Sequence, residues 1–207
     1  ELKNPLTKIS SQLEVSLLNE RNTADYKQTI ASVLEDTQDL AAITESLLEL
    51  NKISVTDYQA GFQIIRIDEV IWEARSLAQK LNSTYKVLFD TQFMPDDEEL
   101  LMLKGDEKLM LTAIKNLIEN ACKFSPNNQA QVSLAIRANQ IEIEVKNEGK
   151  GIPEADLPFI FQPFFRGENT ANAKGYGIGL SLVERIIHLH NGQISVSSTI
   201  NSWTTFK

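Results

Sequence analysis

Between residues 26 and 47 the positions Tyr26, Ile30, Val33, Thr37, Leu40, Thr44 and Leu47 step by four and three. This is a heptad seam over three repeats, and it predicts a long helix. Leu34, Ala41 and Leu48 recur at seven beside the seam and widen its apolar face. Upstream, Leu2, Leu6, Ile9, Leu13 and Leu17 form a second helical stripe. Residues 19–23 have no periodicity and read as the turn, with Thr23 as the expected N-cap. Residues 1–53 therefore read as a helical hairpin. Two helices cannot cover so wide a stripe alone. A partner hairpin would complete a four-helix bundle, so a homodimer is expected before any function is considered.

Residues 54–61 are polar, carry Asp57 and Gly61, and read as a linker. After them the period changes. Phe62 to Ile67 predicts a strand, Ile67 to Leu81 a helix, and Lys86 to Thr91 and Glu99 to Lys104 two short strands around the acidic run 95–98, read as a solvated loop. Asp106 to Phe124 predicts a second helix. Val132, Leu134 and Ile136, then Ile141, Ile143 and Val145, alternate and predict a hairpin of Ala130–Ala138 with Gln140–Lys146. Residues 147–174 are irregular. Tyr176 to His190 predicts a third helix, with Gly192 as its cap, before closing strands at Gln193–Ser198 and Trp203–Lys207. Residues 62–207 thus read as an α+β sandwich, one sheet with helices on one face.

Composition narrows the class. With 42% hydrophobic and 23% charged residues, the chain of 207 residues is globular and not disordered. Its net charge of −8 argues against nucleic acid and against an anionic membrane surface as partners. The single Cys122 cannot form an internal disulfide. The chain opens at Glu1 within a helical pattern and stops at Lys207 within a strand pattern, so it reads as a soluble portion of a longer protein.

The candidate chemistry gathers at three places. Asn116, Asn120 and Lys123 lie at i, i+4 and i+7 and share one helix face, while Met110, Ile114, Leu117 and Ala121 hold the other. Amide oxygens suit Mg²⁺ shared with substrate phosphates, and a Lys one turn away suits the phosphates themselves. Taken alone, this spacing equally fits a solvent-facing polar stripe. Two glycine clusters shift the balance: residues 147–153 follow a strand, and Gly175-Tyr176-Gly177-Ile178-Gly179-Leu180 runs into a helix. Glycines let backbone N–H groups approach phosphate, and a helix N-terminus favours anions. No parallel βαβ unit accompanies them, so this is not the dinucleotide fingerprint. The long stretch between the clusters suggests a lid.

Together these segments resemble the catalytic core of a two-component sensor histidine kinase. Residues 1–7 resemble the H box, starting one residue after the phospho-accepting His; 116–125 resemble the N box, 147–152 the G1 box, 161–167 the F box and 175–180 the G2 box. The resemblance implies a dimeric hairpin joined to an ATP-binding sandwich of the gyrase and Hsp90 type. It implies Mg²⁺ and ATP at Asn116 and Asn120, with Asn120 the direct metal ligand. Lys123 would meet the phosphates and Phe124 the base or ribose. Gly149, Gly151 and Ile152 would shape the adenine pocket. Gly175, Gly177, Gly179 and Leu180 would lie along the phosphates, and Arg166 would supply charge at the γ-phosphate. Glu1 would act as base for the acceptor His, Asn4 would orient a dephosphorylating water, and Pro5 would kink the first helix.

Two departures stand out. The only histidines, His188 and His190, lie outside any H box and read as structural. The G1 box begins with Asn147 where the family places an Asp. The expected activity is ATP-dependent protein-histidine kinase, passing phosphate to a His upstream of Glu1 and then to an Asp of a response regulator, with phosphatase activity in addition. The resemblance further implies the cytoplasmic portion of a membrane-anchored sensor, touching membrane only through upstream segments. The competing expectation is a non-catalytic, nucleotide-sensing dimerisation scaffold.

Overall fold

The computed structural model describes residues 3–18, 22–52, 61–95, 97–138, 140–167 and 177–207. The chain divides into two compact units, Glu1–Asn51 and Lys52–Lys207.

The first unit is two helices, α1 (Lys3–Leu18) and α2 (Thr23–Lys52). Lys8 Nζ meets Asp36 Oδ1 at 2.7 Å and the Gln12 amide donates to Ser32 Oγ at 3.2 Å, so the helices run antiparallel. The cap of α2 differs from the expected Thr23. Asn22 Oδ1 accepts the Asp25 N–H at 2.8 Å, which places the cap one residue earlier. Thr37 and Thr44, the polar members of the seam, donate their hydroxyls to Val33 and Leu40 carbonyls, at 2.8 and 2.9 Å. That absorbs the hydroxyl within the helix. Leu6, Leu13, Leu17, Tyr26, Ile30 and Leu34 are exposed within one chain. Pro5 sits in the first turn of α1; the expected kink involves residues outside those described.

The second unit is built as β1 (Gln63–Arg66), α3 (Ile67–Leu81), β2 (Lys86–Asp90), β3 (Met102–Gly105), α4 (Glu107–Phe124), β4 (Gln129–Arg137), β5 (Gln140–Glu148), α5 (Gly179–Leu189), β6 (Val196–Thr199) and β7 (Trp203–Phe206). Helix α4 packs against α3, α5, β4 and β5. Its buried face of Met110, Ala113, Ile114, Leu117, Ile118 and Ala121 is the centre of the core, closed by Ile71 of α3, Ile186 of α5 and Val132, Leu134 and Val145 of the sheet. The N-cap of α4 is Asp106, whose carboxylate accepts the Leu109 N–H at 3.0 Å.

Among the described residues there are two sheets where one was expected. The larger has the order β2-β4-β5-β7-β6, and β1 pairs with β3 as a separate antiparallel ribbon. Chain direction changes at Arg66, which ends β1 and turns the chain straight into α3. Its guanidinium holds Asp68 and Glu98, each at 2.7 Å. Strand β2 pairs with β4 in parallel, a pairing that alternation along each strand cannot reveal. The expected strand Glu99–Lys104 begins later, because residues 98–101 form a 3₁₀ turn capped by Asp97, whose carboxylate accepts the Glu99 N–H at 3.0 Å. The acidic run is thus partly structural and not only a solvated loop. The third helix starts at Gly179, not Tyr176, since Gly177 has φ +72° and cannot be helical. Its end is a Schellman turn in which Asn191, not Gly192, takes the left-handed conformation, φ 57°. Apart from Gly61, the expected linker 54–61 lies outside the described residues.

Candidate nucleotide site

The polar face of α4 survives in three dimensions. Asn116, Asn120 and Lys123 are all half-buried on one side of the helix. Asn116 Nδ2 donates to the Thr112 carbonyl at 2.8 Å, which turns its Oδ1 outward from the helix. What it meets is the start of α5. A Cβ at Gly179 would lie 2.9 Å from Asn116 Oδ1 and 3.9 Å from Asn120 Nδ2. Only a residue without a side chain lets the two motifs approach this closely.

The next turn brings in charge. Lys123 Nζ stands 5.1 Å over the ring of its half-exposed neighbour Phe124. Burial holds the Lys123 ammonium below its usual range; Arg166 lowers it further, and Glu119 opposes the shift. An anion bound beside Lys123 would offset both its burial and the nearby Arg166 charge. Sequence reasoning missed Glu119, although it stands at i−4 from Lys123 and i+4 from Lys115. Its Oε1 is buried without a hydrogen bond, 3.8 Å from Lys115 Nζ.

Burial holds the Glu119 carboxyl above its usual range, against the pull of Lys115 and Lys123. A value raised on folding gives stability that is complete below the unfolded pKa and lost as pH rises through the folded one. At neutral pH and above, the charged form therefore weighs against the fold. Glu119→Gln should melt a few degrees higher than the parent near neutral pH, with the advantage gone in acid. Equal differences at both pH values would show that ionisation of this carboxyl is not what matters.

Below this face lies the first glycine cluster. Asn147 is the penultimate residue of β5, opposite Thr204 of β7, and not the start of a loop as expected. It is buried, and its Nδ2 donates to the Glu148 carbonyl at 3.0 Å. A Cβ at Gly149 would fall 2.4 Å from the Phe124 carbonyl oxygen, so the end of β5 touches the last turn of α4. Gly151 takes φ +72° against the Thr199 carbonyl, and the Ile152 N–H donates to Ser198 Oγ at 2.8 Å. These contacts tie the loop to the β6–β7 turn.

The F-box segment joins from the other side. The Phe164 N–H donates to the Gly177 carbonyl at 2.8 Å, and Gly177 lies against the Phe165 carbonyl oxygen. Phe164 itself has φ 67°, a conformation that nothing in its residue type announces. Leu180 is half-buried in the first turn of α5. The structure thus gathers Asn116, Asn120, Lys123, Phe124, Gly177 and Gly179, with the charge of Arg166 acting on Lys123, and it places Asn147 and Gly149 beside the end of α4. Gly175 and Glu1 lie outside the described residues. Asn4 is in the first turn of α1, and its side chain is outside those described.

Comparison with known proteins agrees with this geometry. Residues 105–207 match the family of histidine kinase-, DNA gyrase B- and HSP90-like ATPases, and residues 1–55 match the His Kinase A (phospho-acceptor) domain. The chain is 31% identical over 211 residues to the signal transduction histidine-protein kinase ArlS of Staphylococcus aureus, covering 100% of this chain and 46% of that protein. It therefore spans about half the length of the curated relatives it matches. The histidine kinase AdeS of Acinetobacter baumannii shares the fold with a TM-score of 0.72 at 19% identity, over 99% of this chain and 94% of that one. The histidine kinase ThkA, solved with the response regulator protein TrrA, also gives 0.72, at 22% identity over 99% of this chain and 57% of that one. An ATPase-type unit with its asparagine face against a glycine-led helix, preceded by a segment matching the phospho-acceptor domain, assigns the chain to the two-component sensor histidine kinases, as a catalytic core.

Proposed function

We propose that this chain is the part of a sensor kinase that binds Mg·ATP and passes its γ-phosphoryl to a His just upstream of Glu1, and from there to an Asp of a response regulator. The observation that carries this is the meeting of Asn116 and Asn120 with Gly179, beside the paired charges of Lys123 and Arg166. The start of α5 offers backbone N–H groups and the positive end of its dipole to the phosphates. Lys123 and Arg166 take up the phosphate charge, which in turn offsets the burial that depresses the Lys123 ammonium. Catalysis in such a site is positioning and charge neutralisation.

The residues fit a magnesium ion. Amide oxygen is a hard donor, Mg²⁺ prefers oxygen, and it is commonly shared between one or two protein groups and substrate phosphates. Asn120 would hold it, and the ion would neutralise charge on the transferring phosphoryl group. Asn147 would read the adenine amine through its carbonyl, without the charge assistance a carboxylate gives. Gly149, Gly151 and Ile152 would shape that pocket; Gly175 and Leu180 would complete the phosphate side. Glu1 would accept the proton of the acceptor His, and Asn4 would orient water for dephosphorylation.

The exposed apolar stripe of α1 and α2 supports a homodimer through a four-helix bundle. The regulator seen with ThkA supports a receiver domain as the second partner. Among the described residues no helix is long and apolar enough to cross a membrane, and the proposed placement is the cytoplasmic side of an anchored sensor.

The test is a chain extended upstream to include the acceptor His and incubated with Mg·ATP. It should gain an acid-labile, alkali-stable phosphate that moves to a receiver domain. Nucleotide binding without any such phosphate would favour the scaffold instead.

A further inference from the structure

His190 lies at the end of α5 opposite Gly179, roughly 16 Å away along the helix. Its Nε2 accepts the Asp106 backbone N–H at 3.0 Å. Its Nδ1 lies 2.7 Å from the Ile186 carbonyl oxygen. The first bond leaves Nε2 unprotonated, so Nδ1 carries the proton and donates to Ile186; one neutral tautomer satisfies both contacts. Phe62 stacks on the ring, with centroids 4.6 Å apart and planes 13° apart. A Cβ at Gly105 would come within 2.7 Å of the ring, so the bare backbone there is what admits the imidazole. Asp106 is the N-cap of α4 and His190 the C-cap of α5, so their bond ties the end of one helix to the start of the other.

Those two helices carry the nucleotide face. Asn116, Asn120 and Lys123 stand on α4, and Gly179 leads α5. The apolar packing between them is non-directional. The hydrogen bond that the rigid, stacked imidazole accepts from the Asp106 N–H is directional, and it bears on the axial position of α5. That position sets how closely Gly179 meets Asn116. The Asn116 amide oxygen fills the space that a side chain at Gly179 would take, 2.9 Å from the Cβ position, so an axial slip of α5 changes what that oxygen faces.

We infer that His190 is a positioning residue for nucleotide binding: through Asp106 it sets α5 against α4 and so sets the spacing between Gly179 and the Asn116–Asn120 face, with Phe62 holding the ring. This rests on the nucleotide reading of that face.

Calorimetric titration of the full chain with Mg·ATP, well below every melting midpoint, tests it. His190→Phe keeps the stack but leaves the Asp106 N–H unpaired. His190→Gln can return an acceptor near the position of Nε2. The Phe variant should bind about tenfold more weakly and the Gln variant within about threefold of the parent. Should His190→Phe not fold, His190→Asn replaces it, since its shorter amide does not reach Asp106. A lower melting temperature is expected in either case and is not the readout. Unchanged affinity in His190→Phe or His190→Asn, with Asn120→Ala having lost binding, would overturn the positioning role alone. Equal losses in the Gln and Phe variants would also overturn it. Normal Mg·ATP binding by Asn120→Ala would instead move the metal contact off that face and take away the reading on which this inference rests.

Discussion

Asn120→Ala should lower Mg·ATP affinity about a hundredfold, near 3 kcal/mol, while leaving the melting temperature almost unchanged. The two halves of this expectation have separate causes. Asn120 is half-buried on the polar face of α4, and the core side of that helix is supplied by Ile114, Leu117, Ile118 and Ala121. Truncating it opens no cavity among apolar side chains, so the fold loses little. Binding is different. If Asn120 holds the metal, its loss would leave only the phosphates and water as oxygen ligands to the ion. Calorimetry with and without magnesium checks it: the parent should show strong metal dependence and the variant little. Equal metal dependence in both would move the ion to another residue.

Gly149→Ala should destabilise the ATP-binding unit by about 2–3 kcal/mol, lowering its melting temperature by roughly 5–10 °C. It should also weaken nucleotide binding. The glycine is needed for proximity and not for an unusual backbone angle, since its φ is not among the positive ones. The added methyl would lie 2.4 Å from the Phe124 carbonyl oxygen, a backbone atom at the end of α4 that cannot rotate away, and 3.3 Å from Asn147 Nδ2. Relief requires the last turn of α4 to lift from β5. That turn carries Lys123 and Phe124, so the cost appears in binding as well as in stability. By contrast, a methyl at Gly179 would meet the far end of the Asn116 side chain, which can move; the milder loss of stability expected there makes the pair a comparison. Thermal melts of both variants, each followed by ATP titration, test this. A Gly149→Ala protein as stable as the parent would mean that the strand end and helix end separate without cost.

Much of the helical content was legible in the residues because helical spacing is local. The i, i+4, i+7 set of Asn116, Asn120 and Lys123 depends only on the winding of one helix, and so does the heptad seam. The strand alternation at 130–145 was likewise visible. Ends were less so. Asn22, Asp97 and Asn191 set their turns through hydrogen bonds or left-handed backbone, and each stands beside another residue able to fill the same role. Glu119 was overlooked because its residue type does not tell whether a helix position faces water or a neighbouring element.

What the sequence by itself determined is the division into a heptad hairpin and a mixed α+β unit, the order of the five motifs, and the helix face that carries the two asparagines and the lysine. Each follows from periodicity or from residues within a few positions of one another. What only the tertiary structure decided is which motifs touch. Gly179 against Asn116, Gly149 against the Phe124 carbonyl, His190 against Asp106 and the parallel pairing of β2 with β4 all join positions distant along the chain. A glycine shows that something can come close, but its partner is chosen by the non-local packing of helices on the sheet. That packing is settled by burying one shared apolar core and not by any short stretch of sequence.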